Sequence, residues 1–316
     1  MTMTVLVERT ETLCNGIKLL QLIHPEGQNL PTFEAGAHID VHLGNSLMRQ
    51  YSLCNSPSEQ HRYHIAVLED AQSRGGSQYV HQHIQAGQTL QISAPRNVFA
   101  LAQTHSKAVL LAGGIGITPL LAMAEQFLVN QVDFQLVYCC KSPEHIAFTG
   151  RLSQPDLRDK VVFVHDDLIS HPELLQAFLP SAHEHHHLYT CGPNGFMQTV
   201  FAQAKSIGWQ DAQLHQESFK ADLNTQTHRH FQIQIASSGD VFDIPATQSI
   251  TQTLEENGYF IPVSCEQGVC GTCITHVIEG EIEHCDQFLT EEEKASNKIL
   301  TPCCSRAKSD LLVLDL

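Results

Sequence analysis

The chain has 316 residues, 42% of them hydrophobic, and its 34 Asp and Glu against 18 Lys and Arg give a formal net charge of −16. That length supports two or three domains with buried cores, and the composition is not that of a disordered chain. Binding to a polyanion needs clustered Lys and Arg, which this acidic chain lacks, so nucleic acid is excluded as an expected partner.

The amino terminus, MTMTVLVERTETLCNGIKLL, places Glu8 and Arg9 where a secretory signal needs an unbroken apolar stretch, and no later run approaches a membrane span. The expectation is a soluble, cytoplasmic protein. Its eleven cysteines are an odd number and include the adjacent pairs Cys139-Cys140 and Cys303-Cys304, which suit reduced thiols better than a disulfide scaffold.

The first hundred residues carry short alternating runs broken by Gly, Pro and Asn: HIDVHL (38–43), RQYSLC (49–54), RYHIAVL (62–68) and TLQISA (89–94). This spacing predicts a small antiparallel β-barrel. Between about 105 and 215 the pattern changes to buried strand, helix, buried strand, as in KAVLLAG, PLLAMAEQFL, DFQLVYCC, KVVFVH and HLYTCG. That is the signature of a parallel α/β sheet.

Within it, LLAGGIGITPLL (110–121) reads as a strand, a glycine-rich turn and a helix start, presenting helix N–H groups to a diphosphate. As a Rossmann fingerprint it is incomplete. Gly114-x-Gly116 is followed by Pro119 in place of the third glycine, and the next strand runs to Cys140 and Lys141 without an acidic residue. A second strand end, YTCGPNGFM (189–197), brings Cys191, Gly192 and Pro193 to a position where a small, polarisable side chain can approach a flat ring.

A polar stretch, KADLNTQTHRH (220–230), separates this region from a last segment. There Phe231, Ile233 and Ile235 alternate, Ser238-Gly239-Asp240 turns the chain, and Val241, Phe242 and Ile244 return. A helix over 248–257 follows and stops at Gly258.

SCEQGVCGTC (264–273) and LTPCCSR supply Cys265-x4-Cys270-x2-Cys273 and, further on, Cys303 and Cys304. Zinc sites pair ligands as C-x2-C twice, whereas a four-residue gap followed by a two-residue gap is the plant-type spacing for a 2Fe-2S cluster. Four thiolates wrapping a compact, net-negative cluster need small residues and free backbone N–H groups between them, and Gly268 and Gly271 give that room. Zinc or structural thiols are the alternative. Cys303 and Cys304 compete for the fourth position.

Here the chain resembles plant-type ferredoxins, which implies Cys303 as fourth ligand and Cys285 as a bystander. AGAHIDVHL, RQYSLCN, SRGGS, ISAPRN, GGIGITP, SCEQGVCGTC and TPCCSRAKS, taken in order, extend the resemblance to the ferredoxin-NADP reductase superfamily, specifically the phthalate dioxygenase reductase-like family. The resemblance implies a multidomain α/β + β chain: an antiparallel FMN-binding β-barrel over 1–102, a parallel α/β NAD-binding domain over 103–222 and a β-grasp 2Fe-2S ferredoxin domain over 230–316. It further implies that Arg49, Tyr51 and Ser52 hold the flavin, with Gly75, Gly76 and Ser77 of SRGGS at its phosphate. Gly114, Gly116, Thr118, Cys191, Gly192 and Pro193 would receive NADH, and Glu217 and Phe219 of HQESFKAD would lie beside flavin and nicotinamide. Ser52, Cys191 and Glu217 are the candidate catalytic positions, as positioning groups. The implied route is NADH to FMN, with FAD the lesser option, to the 2Fe-2S cluster and on to a Rieske-type terminal oxygenase that demethylates a methoxylated aromatic acid. The protein is expected to be a monomer on its own. Reductases for phthalate-type or carnitine-type oxygenases, and a non-enzymatic iron–sulfur carrier or sensor, are the competing readings.

Three features take plainer readings. HEHHH (183–187) reads as a solvated loop, because four histidines in five residues cannot all face one ion. TEEEK (290–294) reads as an exposed first helical turn, and Cys54, Cys139 and Cys140 read as small apolar packing residues. Glu266, Glu279, Glu281 and Glu283 are expected to surround the cluster.

Overall fold

The computed structural model describes residues 2–44, 47–70, 75–165, 172–219, 229–266, 268–286 and 288–316. They form two compact units, Met1–Glu217 and Ser218–Leu316.

The first unit holds two sheets. Strands β1 (Thr2–Cys14), β2 (Ile17–Ile23), β3 (Ala37–His42), β4 (Met48–Ser52) and β5 (Arg62–Leu68) are followed by helix α1 (Gly76–His83) and strands β6 (Thr89–Ser93) and β7 (Arg96–Asn97). The strands pair antiparallel in the order β4-β3-β6-β1-β2-β5, with β7 on β3. A Leu53–Ile65 bridge and the Cys54 N–H donating to His64 O at 3.0 Å bring the end of β4 onto β5 and close the ring. The period-two pattern explains the inside of this barrel: Val5, Val7, Leu20, Leu22, Ile39 and Val41 are fully buried there. Val80 of α1 plugs the same core, and Lys18 Nζ donates to the terminal carbonyls Val80 O, His81 O and Ile84 O of that helix.

The second sheet is wholly parallel. It is built from β8 (Lys107–Gly113), α2 (Ile117–Asn130), β9 (Phe134–Cys140), α3 (Thr149–Leu152), β10 (Val161–His165), β11 (His186–Cys191), α4 (Asn194–Ser206) and β12 (Leu214–Glu217). Strand order is β10-β9-β8-β11-β12. The chain winds outward from β8 one way, then returns to build β11 and β12 on the other side. The crevice beyond the carboxyl ends of β8 and β11 is therefore the topological switch point, where open α/β sheets bind ligands.

The histidine run departs from expectation. His183, Glu184 and His185 are exposed, but His186 opens β11 and His187 is buried, because pairing His187 with Ala108 of β8 carries it into the sheet. The expected boundary between 222 and 230, and nearly all of the polar stretch 220–230, lie outside the described residues.

In the second unit, β13 (Phe231–Ile235) and β14 (Val241–Ile244) form a hairpin followed by α5 (Ile250–Glu256). Ser249 and Gln252 cap that helix reciprocally, an arrangement worth about 1 kcal/mol. Strands β15 (Thr275–Glu279) and β16 (Ile282–Glu283), helix α6 (Glu291–Ser296), and strands β17 (Ile299–Leu300), β18 (Arg306–Ala307) and β19 (Leu311–Leu314) complete it. The last strand runs parallel to β13 and antiparallel to β15, giving the order β14-β13-β19-β15-β17. Hairpin, helix and a final strand inserted beside the first make a β-grasp. Buried Arg306 ties it together, donating to Gln248 O, Pro245 O and Arg229 O and lying over the Phe231 ring. Among the described residues no helix is long and apolar enough to cross a membrane.

Candidate functional site

At the switch point two loops meet backbone to backbone. A Cβ on Gly116 would stand 2.1 Å from Cys191 O, and one on Gly192 would stand 2.9 Å from Gly113 Cα. Only glycine allows that approach. Gly114 takes φ +55° with nothing within 4 Å of its missing Cβ, leaving open space over the turn that starts α2. Thr118 is buried and donates to Ile115 O at 3.0 Å, fixing the turn. Pro193 stands at the N-terminal cap of α4, so helix starts flank the crevice on both sides. An open glycine turn between two helix N-termini fits a diphosphate.

Cys191 and Glu217 are register partners at the ends of β11 and β12. Cys191 is completely buried, and burial reinforced by the nearby Glu217 charge pushes its thiol well up, so it is a neutral group. Burial also raises Glu217 to about 8, with the hydrogen bond from Ser52 opposing the shift. Ser52 Oγ donates to Glu217 Oε2 at 3.2 Å. Ser52, Cys191 and Glu217, far apart in the chain, thus gather where the barrel meets the α/β sheet. Phe219 is half-buried and belongs to the second unit.

Arg49, Tyr51 and Ser52 do not share a strand face. Arg49 pairs with Val41 and Tyr51 with Ile39, whereas Ser52 pairs with His38. The Tyr51 ring accordingly packs against the barrel core, and burial raises its phenol. The Arg49 side chain crosses the start of α1, where a Cβ on Gly76 would meet its Cγ at 2.7 Å. Gly75 caps this helix at φ 89° with no side-chain hydrogen bond, and Ser77 Oγ accepts from Asp70 N at 3.1 Å. A guanidinium beside a helix N-terminus fits a phosphate. Ser73 and Arg74 of the same motif lie outside the described residues.

In the second unit the four expected thiols converge. Cys270 is in contact with Cys265, and Cys303 with both Cys265 and Cys273. Val269 N donates to Cys265 Sγ at 3.4 Å and Thr272 N to Cys270 Sγ at 3.5 Å. Gly268 and Gly271 have φ of 71° and 69°, and a Cβ there would stand 2.4 Å from Cys304 Sγ and 2.3 Å from the Phe288 ring. These are the small residues and inward N–H groups that a four-thiolate cluster requires. Cys304 touches Cys303 too, but its sulfur is lodged against Thr301 Oγ1 at 3.2 Å and Ser305 Oγ at 4.0 Å. Cys285 donates to Glu283 O at 3.7 Å. The acidic setting is revised: Thr275 leaves the cysteine loop and Glu279 follows four residues along an extended strand, about 13 Å on. Glu279 and its turn neighbour Glu281 therefore sit away from the thiols. Sequence spacing alone misplaced them, since it does not give the direction in which a strand leaves the cysteine loop.

Two polar groups were not singled out from the sequence. Arg96 Nη2 donates to both Asp40 oxygens, at 2.9 and 2.7 Å, and Gln50 Nε2 to Asp40 Oδ1 at 2.9 Å, beside the strand that carries Arg49 and Ser52. The signal was an Asp in the alternating run HIDVH. Thr190 Oγ1 donates to Leu111 O at 3.0 Å, stapling the ends of β11 and β8.

The 2Fe-2S iron-sulfur cluster binding domain family matches residues 233–308. A vanillate O-demethylase oxidoreductase of Pseudomonas sp. strain HR199 is 47% identical over 314 residues, 99% of each chain. A carnitine monooxygenase reductase subunit of Escherichia coli K12 is 38% identical over 98% of this chain and 97% of its own. Among solved structures, phthalate dioxygenase reductase, described as a modular structure for electron transfer from pyridine nucleotides to [2Fe-2S], aligns with a TM-score of 0.78 at 36% identity, covering 100% of this chain and 98% of that one.

Proposed function

Because the chain belongs to the phthalate dioxygenase reductase-like family, we propose that it carries electrons from NADH through FMN and a 2Fe-2S cluster to a Rieske-type terminal oxygenase acting on vanillate. Membership makes it an NAD(P)H-dependent oxidoreductase, the reductase subunit of an oxygenase. The observation that carries the route is the 3.2 Å Ser52–Glu217 hydrogen bond, which joins the barrel to the end of the nucleotide crevice. Vanillate rests on the margin between the 47% and 38% identities.

The cofactors supply hydride acceptance and single-electron transfer; placement and electrostatics fall to the protein. Gly114, Gly116 and Thr118 would hold the diphosphate of NADH, and Cys191, Gly192 and Pro193 would set its nicotinamide. NADH is the nucleotide of this reading because no arginine directly follows β9 to fork a 2′-phosphate, and Lys141, a cation at that strand end, is the opening for NADPH. Arg49 with Gly75, Gly76 and Ser77 would bind a terminal phosphate, which favours FMN, and Tyr51 would bound the flavin. Glu217 keeps its proton at neutral pH and can hold or release it beside Ser52 Oγ. Cys265, Cys270, Cys273 and Cys303 would ligate the cluster, its backbone donors favouring the reduced state. In this account the chain comprises a barrel over 1–102, a nucleotide domain over 103–222 and a ferredoxin domain over 230–316.

Turnover with purified Rieske oxygenases on vanillate, phthalate and carnitine, together with identification of the flavin released on denaturation, tests this. Efficient turnover with vanillate and release of FMN are expected; a preference for either other substrate reassigns the partner.

A further inference from the structure

We infer that His284, set beside buried Asp286 against the cysteine loop, takes up one proton from solvent as an electron enters the 2Fe-2S cluster and returns it as the electron leaves; this rests on the cluster proposed above. Both ring nitrogens of His284 are shut off from solvent and have no hydrogen-bond partner among the described residues. Buried polar atoms are nearly always paired, so a ring orphaned at both positions needs a reason. Asp286 supplies one. Its carboxyl group is wholly buried, and Oδ1 stands 3.5 Å from His284 Nδ1, longer than the about 2.7–3.2 Å of an N–H···O bond. The pair is aligned but not closed. An added proton would give the ring two donors and a positive charge facing that carboxyl, and 12% of the imidazole side chain stays exposed, so solvent is within reach.

The pair is braced on both halves of the thiol set. A Cβ on Gly268, between Cys265 and Cys270, would stand 2.9 Å from Asp286 Cα. Ser305, two residues past Cys303, donates to Asp286 Oδ1 at 3.4 Å and accepts from Cys285 N at 3.3 Å. Asp286 Oδ2 accepts from Leu289 N at 2.8 Å, which fixes the carboxyl from its other side. The remaining charged and titratable groups around the loop are Glu283 and Arg306 on the β16–β18 pair, with Cys285 and Cys304. Two carboxyl groups thus favour a charged ring, and one guanidinium, engaged with three backbone carbonyls, opposes it. An electron added to a buried, net-negative cluster is an uncompensated charge in a low dielectric, which is costly. A proton on His284 cancels it. One electron arrives from the reduced flavin and one proton from water, so the net charge of the ferredoxin domain is unchanged; handing the electron to the acceptor reverses both.

The test is a redox titration of the holoprotein from about pH 5.5 to 8.5, which brackets the ordinary histidine range, with the cluster followed by its EPR signal so that the flavin does not interfere. One proton per electron changes the reduction equilibrium tenfold per pH unit, so the wild-type midpoint falls by about 59 mV per unit across part of that range. His284→Phe and His284→Gln, neither of which titrates there, each make the midpoint independent of pH. Asp286→Asn, which can still accept from Leu289 N, moves the sloping region to lower pH because the imidazolium loses its opposite charge. A flat wild-type midpoint overturns the proposal without recourse to any variant. A slope that survives in either His284 variant also overturns it, since the proton would then bind elsewhere. Wild type without the EPR signal of a reduced 2Fe-2S cluster overturns the cluster reading and, with it, this inference.

Discussion

Ser52 Oγ lies 3.2 Å from Glu217 Oε2, tying the last residue of a barrel strand to the last residue of the edge strand in the neighbouring sheet. The carboxyl that receives this bond is raised from 4.5 to about 8. A group whose folded pKa lies above its unfolded value contributes stability that is complete below the unfolded pKa and is lost as pH rises through the folded one. Glu217 therefore destabilises the first unit progressively between about pH 4.5 and 8. In Glu217→Gln, which cannot ionise, melting temperature relative to wild type should climb across that window. A constant difference would mean the carboxyl titrates normally.

On the proposed route, flavin reduction would depend on the same pair. Ser52→Ala and Glu217→Gln should each lower the limiting rate of flavin reduction by NADH about tenfold or more while leaving NADH affinity within about twofold, because on the proposed route they would act on alignment while the diphosphate would be held at Gly114 and Gly116. Anaerobic stopped-flow measurement over a range of NADH concentrations separates the two constants. Weakened affinity with an unchanged limiting rate would place the pair outside the reacting region.

Glycine serves two different purposes in GGIG. Gly116→Ala drives a methyl into the Cys191 carbonyl at 2.1 Å, so the two loops must separate, at a cost of about 1–3 kcal/mol and with loss of NADH binding. Gly114→Ala meets no atom within 4 Å and pays only for φ +55°, about 1–2 kcal/mol, and its methyl would enter the space proposed for the diphosphate. Thermal melts should show Gly116→Ala as the less stable of the two, with both impaired in NADH titrations. Equal stability would contradict the packed crossing.

Imidazoles line the opposite end of the sheet. Tyr189 OH accepts from Ala102 N and lies 2.8 Å from His105 Nε2, while His187 Nδ1 lies 3.0 Å from His215 Nε2 and the His215 ring stacks on Tyr189 at 4.6 Å. Burial and mutual repulsion lower His105 and His215 from 6.5 to about 4. Between those values the unfolded chain binds more protons, so stability is full above about pH 6.5 and falls as pH drops toward 4. His215→Phe keeps the stacking and should flatten this acid-side slope in a melting-temperature series; an unaltered slope would assign it to other groups.

What the sequence made legible was local. Cys265, Cys270 and Cys273 lie in one loop, and a four-then-two spacing constrains that loop by itself; alternation in HIDVH and continuous apolar runs such as VLLAG likewise report the strands in which they occur. What escaped depends on partners distant in the chain. His187 looked like loop until its pairing with Ala108 made it core, and Glu279 looked close to the cysteines until β15 carried it away. Tyr51 and Ser52 are sequence neighbours on opposite strand faces, so a shared motif did not mean a shared environment. Ser52 and Glu217 are 165 residues apart, and only the family resemblance put both near the flavin.

The central claim, that electrons entering from NADH pass through the flavin to a cluster held by Cys265, Cys270, Cys273 and Cys303, is tested most directly by anaerobic NADH titration of wild type, Cys303→Ser and Cys304→Ser, followed by visible absorption and EPR. Wild type and Cys304→Ser should show loss of flavin absorbance and the EPR signal of a reduced 2Fe-2S cluster, while Cys303→Ser should show flavin reduction alone. A cluster retained in Cys303→Ser and lost in Cys304→Ser, or a wild-type cluster that stays oxidised while its flavin is reduced, would contradict the account.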